Sequence, residues 1–110
     1  MIVTSINYER KGKQQGYLRA PYSYNLAGWA HMLIPITVIN NGPGPTVLAL
    51  AGNHGDEYQG QIALMKLARE LTPEMISGRL IIVPSMTVPA AKAATRLSPL
   101  DGMNLNRAFP

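Results

Sequence analysis

No cysteine occurs in the sequence. Its absence rules out a disulfide framework and removes thiolate as a metal ligand, so any metal site would have to use histidine and carboxylates. It also fits a reducing cytoplasm, where the protein is expected to act. Long hydrophobic runs are missing too: the apolar stretches are strand-sized, too short to cross a bilayer, and no membrane partner is expected. The opening residues Met1-Ile2-Val3-Thr4-Ser5 lack the charged segment and apolar core of a secretory signal. Repeats and low-complexity tracts are absent. Histidine is scarce, with only His31 and His54, and Trp29 is the single tryptophan.

What is present suits one small globular domain, or the first part of one: 110 residues, of which 46% are hydrophobic, too apolar for disorder. The formal charge is +4, yet the one local basic cluster is Glu9-Arg10-Lys11-Gly12-Lys13. It is short and carries no interleaved aromatics, so it reads as a solvated arm, and no nucleic-acid partner is expected.

The chain is organised around Ala51-Gly52-Asn53-His54-Gly55-Asp56-Glu57-Tyr58-Gln59-Gly60. An apolar run, Val47 to Leu50, precedes it and reads as a buried strand; a segment with helical periodicity follows. Zinc takes histidine nitrogen and carboxylate oxygen at about 2.0–2.2 Å, so its ligands must converge. A histidine at the strand end and a glutamate on the first helical turn, three residues on, project to one side and reach a common point. Gly52, Gly55 and Gly60 leave the backbone free to bend and let a ligand approach. Open α/β sheets bind ligands beyond the carboxyl ends of their strands, where this motif falls. The motif alone leaves a second reading, in which both are loop residues and Glu57 complements the helix dipole.

Residues 1–15 read as an arm or a weak strand. Gly16 to Ala20 reads as an edge strand ending at Pro21, Tyr22 to Gly28 as a turn, and Trp29 as a side chain packed on the sheet. His31 is a strand-end histidine before Met32 to Ile39, a β-branched run with Pro35 at an edge or bulge. The turn residues of Asn40 to Pro45 predict that the strand Thr46–Leu50 returns beside this one. Ile62, Ala63, Leu64, Leu67, Ala68 and Leu71 recur at helical spacing and are assigned to the core, in a helix over 57–71 that stops before Pro73. Thr72-Pro73-Glu74-Met75 predicts one short helical turn, Arg79 to Pro84 a second buried strand, and Pro89 to Ala94 a brief helix; Thr95 to Met103 is loop. Strand, helix and strand make a βαβ unit with parallel strands.

A second constellation closes the chain: Asn104-Leu105-Asn106-Arg107-Ala108-Phe109-Pro110. An arginine fork binds a carboxylate bidentately and an adjacent asparagine adds a directed donor. Beyond the strand at 79–84, these residues should share a sheet edge with His54 and Glu57.

Together, the 52–58 and 104–110 segments closely resemble the succinylglutamate desuccinylase/aspartoacylase family, and within it most resemble the N-acetyl-diaminobutyrate deacetylases. Gly16 with Leu18-Arg19 and Pro21-Tyr22-Ser23, and Ile34 to Ile39, match the same pattern. The resemblance implies an α/β fold: the N-terminal part of a three-layer zinc-carboxypeptidase-like domain, with a mixed sheet of antiparallel N-terminal strands followed by the βαβ unit. It divides the chain into an arm, 1–15, and a portion of the catalytic domain, 16–110.

By the same resemblance, His54 and Glu57 are the first two zinc ligands, Asn106 and Arg107 hold the substrate carboxylate, and Arg96 polarises the scissile carbonyl. Asp56 and Asp101 stay as turn residues or partners of the ligands. A third ligand, a histidine, and a catalytic glutamate lie further downstream in the family, so this chain is expected to be part of a larger enzyme and inactive alone. The implied activity is zinc-dependent hydrolysis of a small N-acyl amino acid. A metallocarboxypeptidase acting on peptides, a non-catalytic module of the same fold, and a homo-oligomer stay open.

Overall fold

The structure, a computed structural model, describes residues 1–109, and of Tyr24 and Ala27 the backbone only. Pro110, the last residue of the second constellation, lies outside the described residues. The elements in chain order are β1 (Val3–Thr4), β2 (Gly12–Tyr24), β3 (Ala27–Asn40), β4 (Thr46–Leu50), α1 (Tyr58–Glu70), a 3-10 turn (Pro73–Met75), β5 (Arg79–Val83), α2 (Val88–Ala93) and a second 3-10 turn (Leu105–Arg107). The strands form one mixed sheet in the order β1-β2-β3-β5-β4.

β-Branched residues fill the second half of β3 (Ile34, Ile36, Thr37, Val38 and Ile39), and this half of the strand carries the core. It pairs antiparallel with β2 from Gly12↔Asn40 to Tyr22↔Ala30 and antiparallel with β5 from Thr37↔Ile82 to Asn40↔Arg79. Pro35 lies outside the stretch paired with β5, so its missing N–H costs no bond there. Ile36, Val38 and Val83 form a buried cluster on which Ile6, Leu18, Ile34, Ile81 and Met86 pack. Val38, Ile39 and Ile82 are wholly buried, each contributing about 1.5–3 kcal/mol of transfer free energy.

β4 and β5 run parallel, with Val47 opposite Leu80 and Ala49 opposite Ile82, and α1 crosses between them. The mixed sheet and βαβ unit agree with the sequence reading; the neighbours of β4 do not. β4 does not lie beside β3, because β5 enters between them and leaves β4 at the edge. Val47, Leu48 and Leu50 are exposed at 53%, 56% and 44%, where the sequence indicates a buried strand: successive side chains point to opposite faces, and among the described residues neither face of β4 is fully covered. α1 is affected in the same way. Gln61 and Ala68, seven residues apart and so on one face, are buried, whereas Ile62, Ala63 and Leu67 are exposed and lie outside the core assigned to them.

The N-terminal segment is no arm. Val3 and Thr4 pair with Arg19 and Leu18, and Gly12 to Gln15 already belong to β2. Asn40 Nδ2 donates to the Glu9 carbonyl at 3.1 Å, and the Arg79 guanidinium binds both the Tyr8 carbonyl and the Glu9 carboxylate. Lys13 Nζ donates to the Arg69 and Leu71 carbonyls at 3.0 and 2.8 Å, placing a cation on the unsatisfied carbonyls at the end of α1. Glu9 and Lys13 of this segment thus meet long-range partners that its sequence does not reveal.

β2 also runs on through Pro21 to Tyr24, so the turn shrinks to Asn25-Leu26. The far end of this hairpin extends past the last residue paired with β5, and Trp29 is 94% exposed instead of packed on the sheet.

Candidate metal and substrate site

Two loops leave the carboxyl ends of β4 and β5 side by side. Ala51 N–H donates to the Val83 carbonyl at 3.0 Å, Met86 N–H to Ala51 at 2.9 Å and Thr87 N–H to Gly52 at 3.0 Å. The Thr87 hydroxyl donates to the Asn53 carbonyl at 3.2 Å. Gly52 sits at φ +67°, a conformation costly for a residue with a side chain. Gly55 is needed for close approach to α2, since a Cβ there would meet the Ala90 backbone. Its smallness admits a helix, not a ligand.

The loop thereby buries His54, which is 7% exposed. Glu57 is not on the first turn of α1 as the spacing suggests. It is the N-cap, with φ −99° and ψ 95°, and its carboxylate swings back over the loop. His54 Nδ1 and Glu57 Oε1 meet at 2.9 Å. Arg96 Nη1 lies 3.7 Å from the same oxygen; with the two side chains 58% and 62% exposed, this ion pair contributes little to stability.

The closing segment reaches the other side of the histidine. Asn104 Oδ1 is 3.0 Å from His54 Nε2 and accepts the backbone N–H of Asn106, also at 3.0 Å. Asn53 Nδ2 donates to Asn106 Oδ1 at 3.4 Å. His54, Glu57, Arg96 and Asn106 are therefore gathered at one sheet edge. Arg107 follows Asn106 on the same 3-10 turn, exposed, and its guanidinium makes no ion pair among the described residues.

Asp101 is a turn residue whose Oδ1 accepts the Met103 N–H at 3.0 Å, and Asp56 is exposed. His31 lies within β3 opposite Pro21 and is exposed. Two participants escape sequence reasoning, Asn53 and Asn104. For Asn104 the signal was the Asn-x-Asn spacing, which favours a side-chain oxygen capping the N–H two residues on.

One imidazole nitrogen and one carboxylate oxygen converging at 2.9 Å are a donor pair that suits zinc. Among the described residues no three His, Cys, Asp or Glu side chains gather, so the set is short of the three protein ligands a catalytic zinc needs.

Residues 43–110 match the model of the succinylglutamate desuccinylase/aspartoacylase catalytic domain. The chain belongs to this family. It is 49% identical over 109 residues to N-alpha-acetyl-L-2,4-diaminobutyric acid deacetylase of Halomonas elongata, covering 99% of this chain and 32% of that protein. A succinylglutamate desuccinylase/aspartoacylase of Rhodobacter sphaeroides superposes with TM-score 0.95 at 54% identity, over 99% of this chain and 34% of that one. The product-bound ectoine utilization protein EutE (DoeB) of Ruegeria pomeroyi superposes with TM-score 0.94 at 48% identity, over 99% and 33%. The chain thus spans about a third of the length of these relatives, and its fold is the N-terminal part of theirs.

Proposed function

We propose that this chain forms part of a zinc-dependent amidohydrolase that removes the acyl group from a small N-acylated amino acid. The observation that carries the reading is the convergence of His54 Nδ1 and Glu57 Oε1 at 2.9 Å on the edge of the sheet where the Asn104–Arg107 turn also sits. Family membership, and a relative named as a deacetylase of an N-acetylated amino acid, favour this substrate class over peptides.

His54 and Glu57 would hold the metal, which when bound supplies Lewis acidity and an activated water nucleophile. Arg96, its side chain 58% exposed and 3.7 Å from Glu57, would turn to the scissile carbonyl and stabilise the oxyanion that develops there. Asn106, fixed by Asn53, and Arg107 beside it would bind the amino-acid carboxylate and orient the amide.

The test is zinc content and acyl release by the intact protein, measured on N-acetylated amino acids and on peptides. About one zinc per chain in the native protein, lost in His54→Ala together with hydrolysis, is the expected result. A metal-free protein with full activity would overturn the reading.

A further inference from the structure

We infer that Asn53 is a positioning residue that turns the Asn106 amide so that its NH2 group, and not its oxygen, meets the substrate. This role rests on the carboxylate site proposed above and deepens that reading: the site is tuned to a free carboxylate and against a neutral carboxamide. An asparagine side chain offers an acceptor on one side and two donors on the other, so a half-turn reverses what it presents. Asn106 is exposed, and its tie to Asn104 is through the backbone N–H, which leaves the side chain to turn. Asn53 removes that freedom: its Nδ2 donates to Asn106 Oδ1 at 3.4 Å.

The direction of this bond follows from what surrounds Asn53. Its carbonyl accepts the hydroxyl of the buried Thr87 at 3.2 Å, and the Thr87 N–H donates to the Gly52 carbonyl at 3.0 Å, so the backbone here is pinned from the β5–α2 loop. Of the two polar atoms on the Asn53 side chain, Oδ1 is shut off from solvent without a hydrogen-bond partner. The half-turned amide would put the NH2 group in that place and strand two buried donors where one acceptor stands now, the costlier arrangement. Asn53 therefore donates and Asn106 Oδ1 accepts. Asn106 Nδ2, with no partner among the described residues, is the end left for a ligand. Arg107 beside it carries donors only. Two neighbouring side chains that offer N–H groups match both oxygens of a carboxylate, and they leave the NH2 of a carboxamide facing donors.

The experiment measures, in the intact protein, kcat and KM for an N-acetylated amino acid and for the same compound with its carboxylate converted to a carboxamide. Asn53→Ala should raise KM for the carboxylate about 2–10-fold, with kcat and zinc content near native, and should narrow the preference over the carboxamide. Made on top of Asn106→Ala, it should raise KM no further, because Asn53 acts through Asn106; a loop defect would add in full. Asn106→Asp reads the direction of the bond even if Asn53→Ala fails to fold. It keeps an oxygen opposite Asn53 Nδ2 and should hold the urea midpoint at or above native, whereas a reversed bond would set oxygen against oxygen and lower it. Additive effects of Asn53→Ala and Asn106→Ala, or a lowered midpoint in Asn106→Asp, would overturn the inference and leave the carboxylate site standing. A native KM in Asn106→Ala would instead sink the carboxylate site itself.

Discussion

Gly55 lies against the backbone of Ala90 so closely that a Cβ would fall 2.0 Å from the Ala90 carbonyl carbon. The site loop and α2 are in backbone contact at this point, and no rotamer change can relieve a side chain placed there. Gly55→Ala should cost about 1–3 kcal/mol and displace His54 from Asn104. Gly60→Ala is the control: its Cβ would meet only the Ala51 Cβ at 3.2 Å, inside a helix that favours alanine. Thermal unfolding and zinc retention of the two variants should separate, with Gly60→Ala near the native protein.

Arg107 presents its guanidinium to solvent without an ion pair among the described residues, one position after Asn106. A group held ready for a ligand, and not spent on structure, should be removable without loss of stability. Arg107→Ala is expected to leave the unfolding free energy within about 0.5 kcal/mol of native, as for a surface change. In the intact protein it should raise KM for an N-acyl amino acid by one to two orders of magnitude, roughly the 1.5–3 kcal/mol of a hydrogen-bonded charge. Steady-state kinetics checks it; an unchanged KM removes Arg107 from the substrate site.

Lys13 closes the carboxyl end of α1 from the opposite end of the sequence, donating to the Arg69 and Leu71 carbonyls. Lys13→Met keeps the apolar stem and deletes the charge. Urea unfolding should show a loss of about 0.5–1 kcal/mol, smaller at high salt in wild type and variant comparisons, with faster amide exchange in the last turn of α1.

Leu48 is 56% exposed on β4, an edge strand with a free row of backbone donors and acceptors. The 110-residue chain studied alone should self-associate as concentration rises, through this edge and the apolar residues beside it. Leu48→Lys should shift it toward monomer in light-scattering measurements. A native chain that stays monomeric under the same conditions contradicts this.

Periodicity and punctuation in the sequence determined much of the secondary structure. The β-branched run of β3, the helix stop before Pro73 and the parallel strand after Gly78 follow from local sterics and hydrogen bonding, which neighbouring residues dictate. The paired motifs likewise identified the family and singled out His54, Glu57 and Asn106, which lie at one sheet edge, but not Asn53 and Asn104 beside them.

Tertiary structure decided the rest, wherever partners lie far apart in sequence. β5 enters between β3 and β4, and residues of β4 whose hydrophobicity marks them for burial are exposed because nothing among the described residues covers their faces. Arg79 and Lys13 convert a charged arm into part of the sheet through contacts spanning more than fifty residues. Asn104 meets His54 across fifty positions, and only the folded chain sets which oxygen faces which nitrogen. Composition and spacing dictate what a residue is able to do; the packing of distant segments sets what it meets.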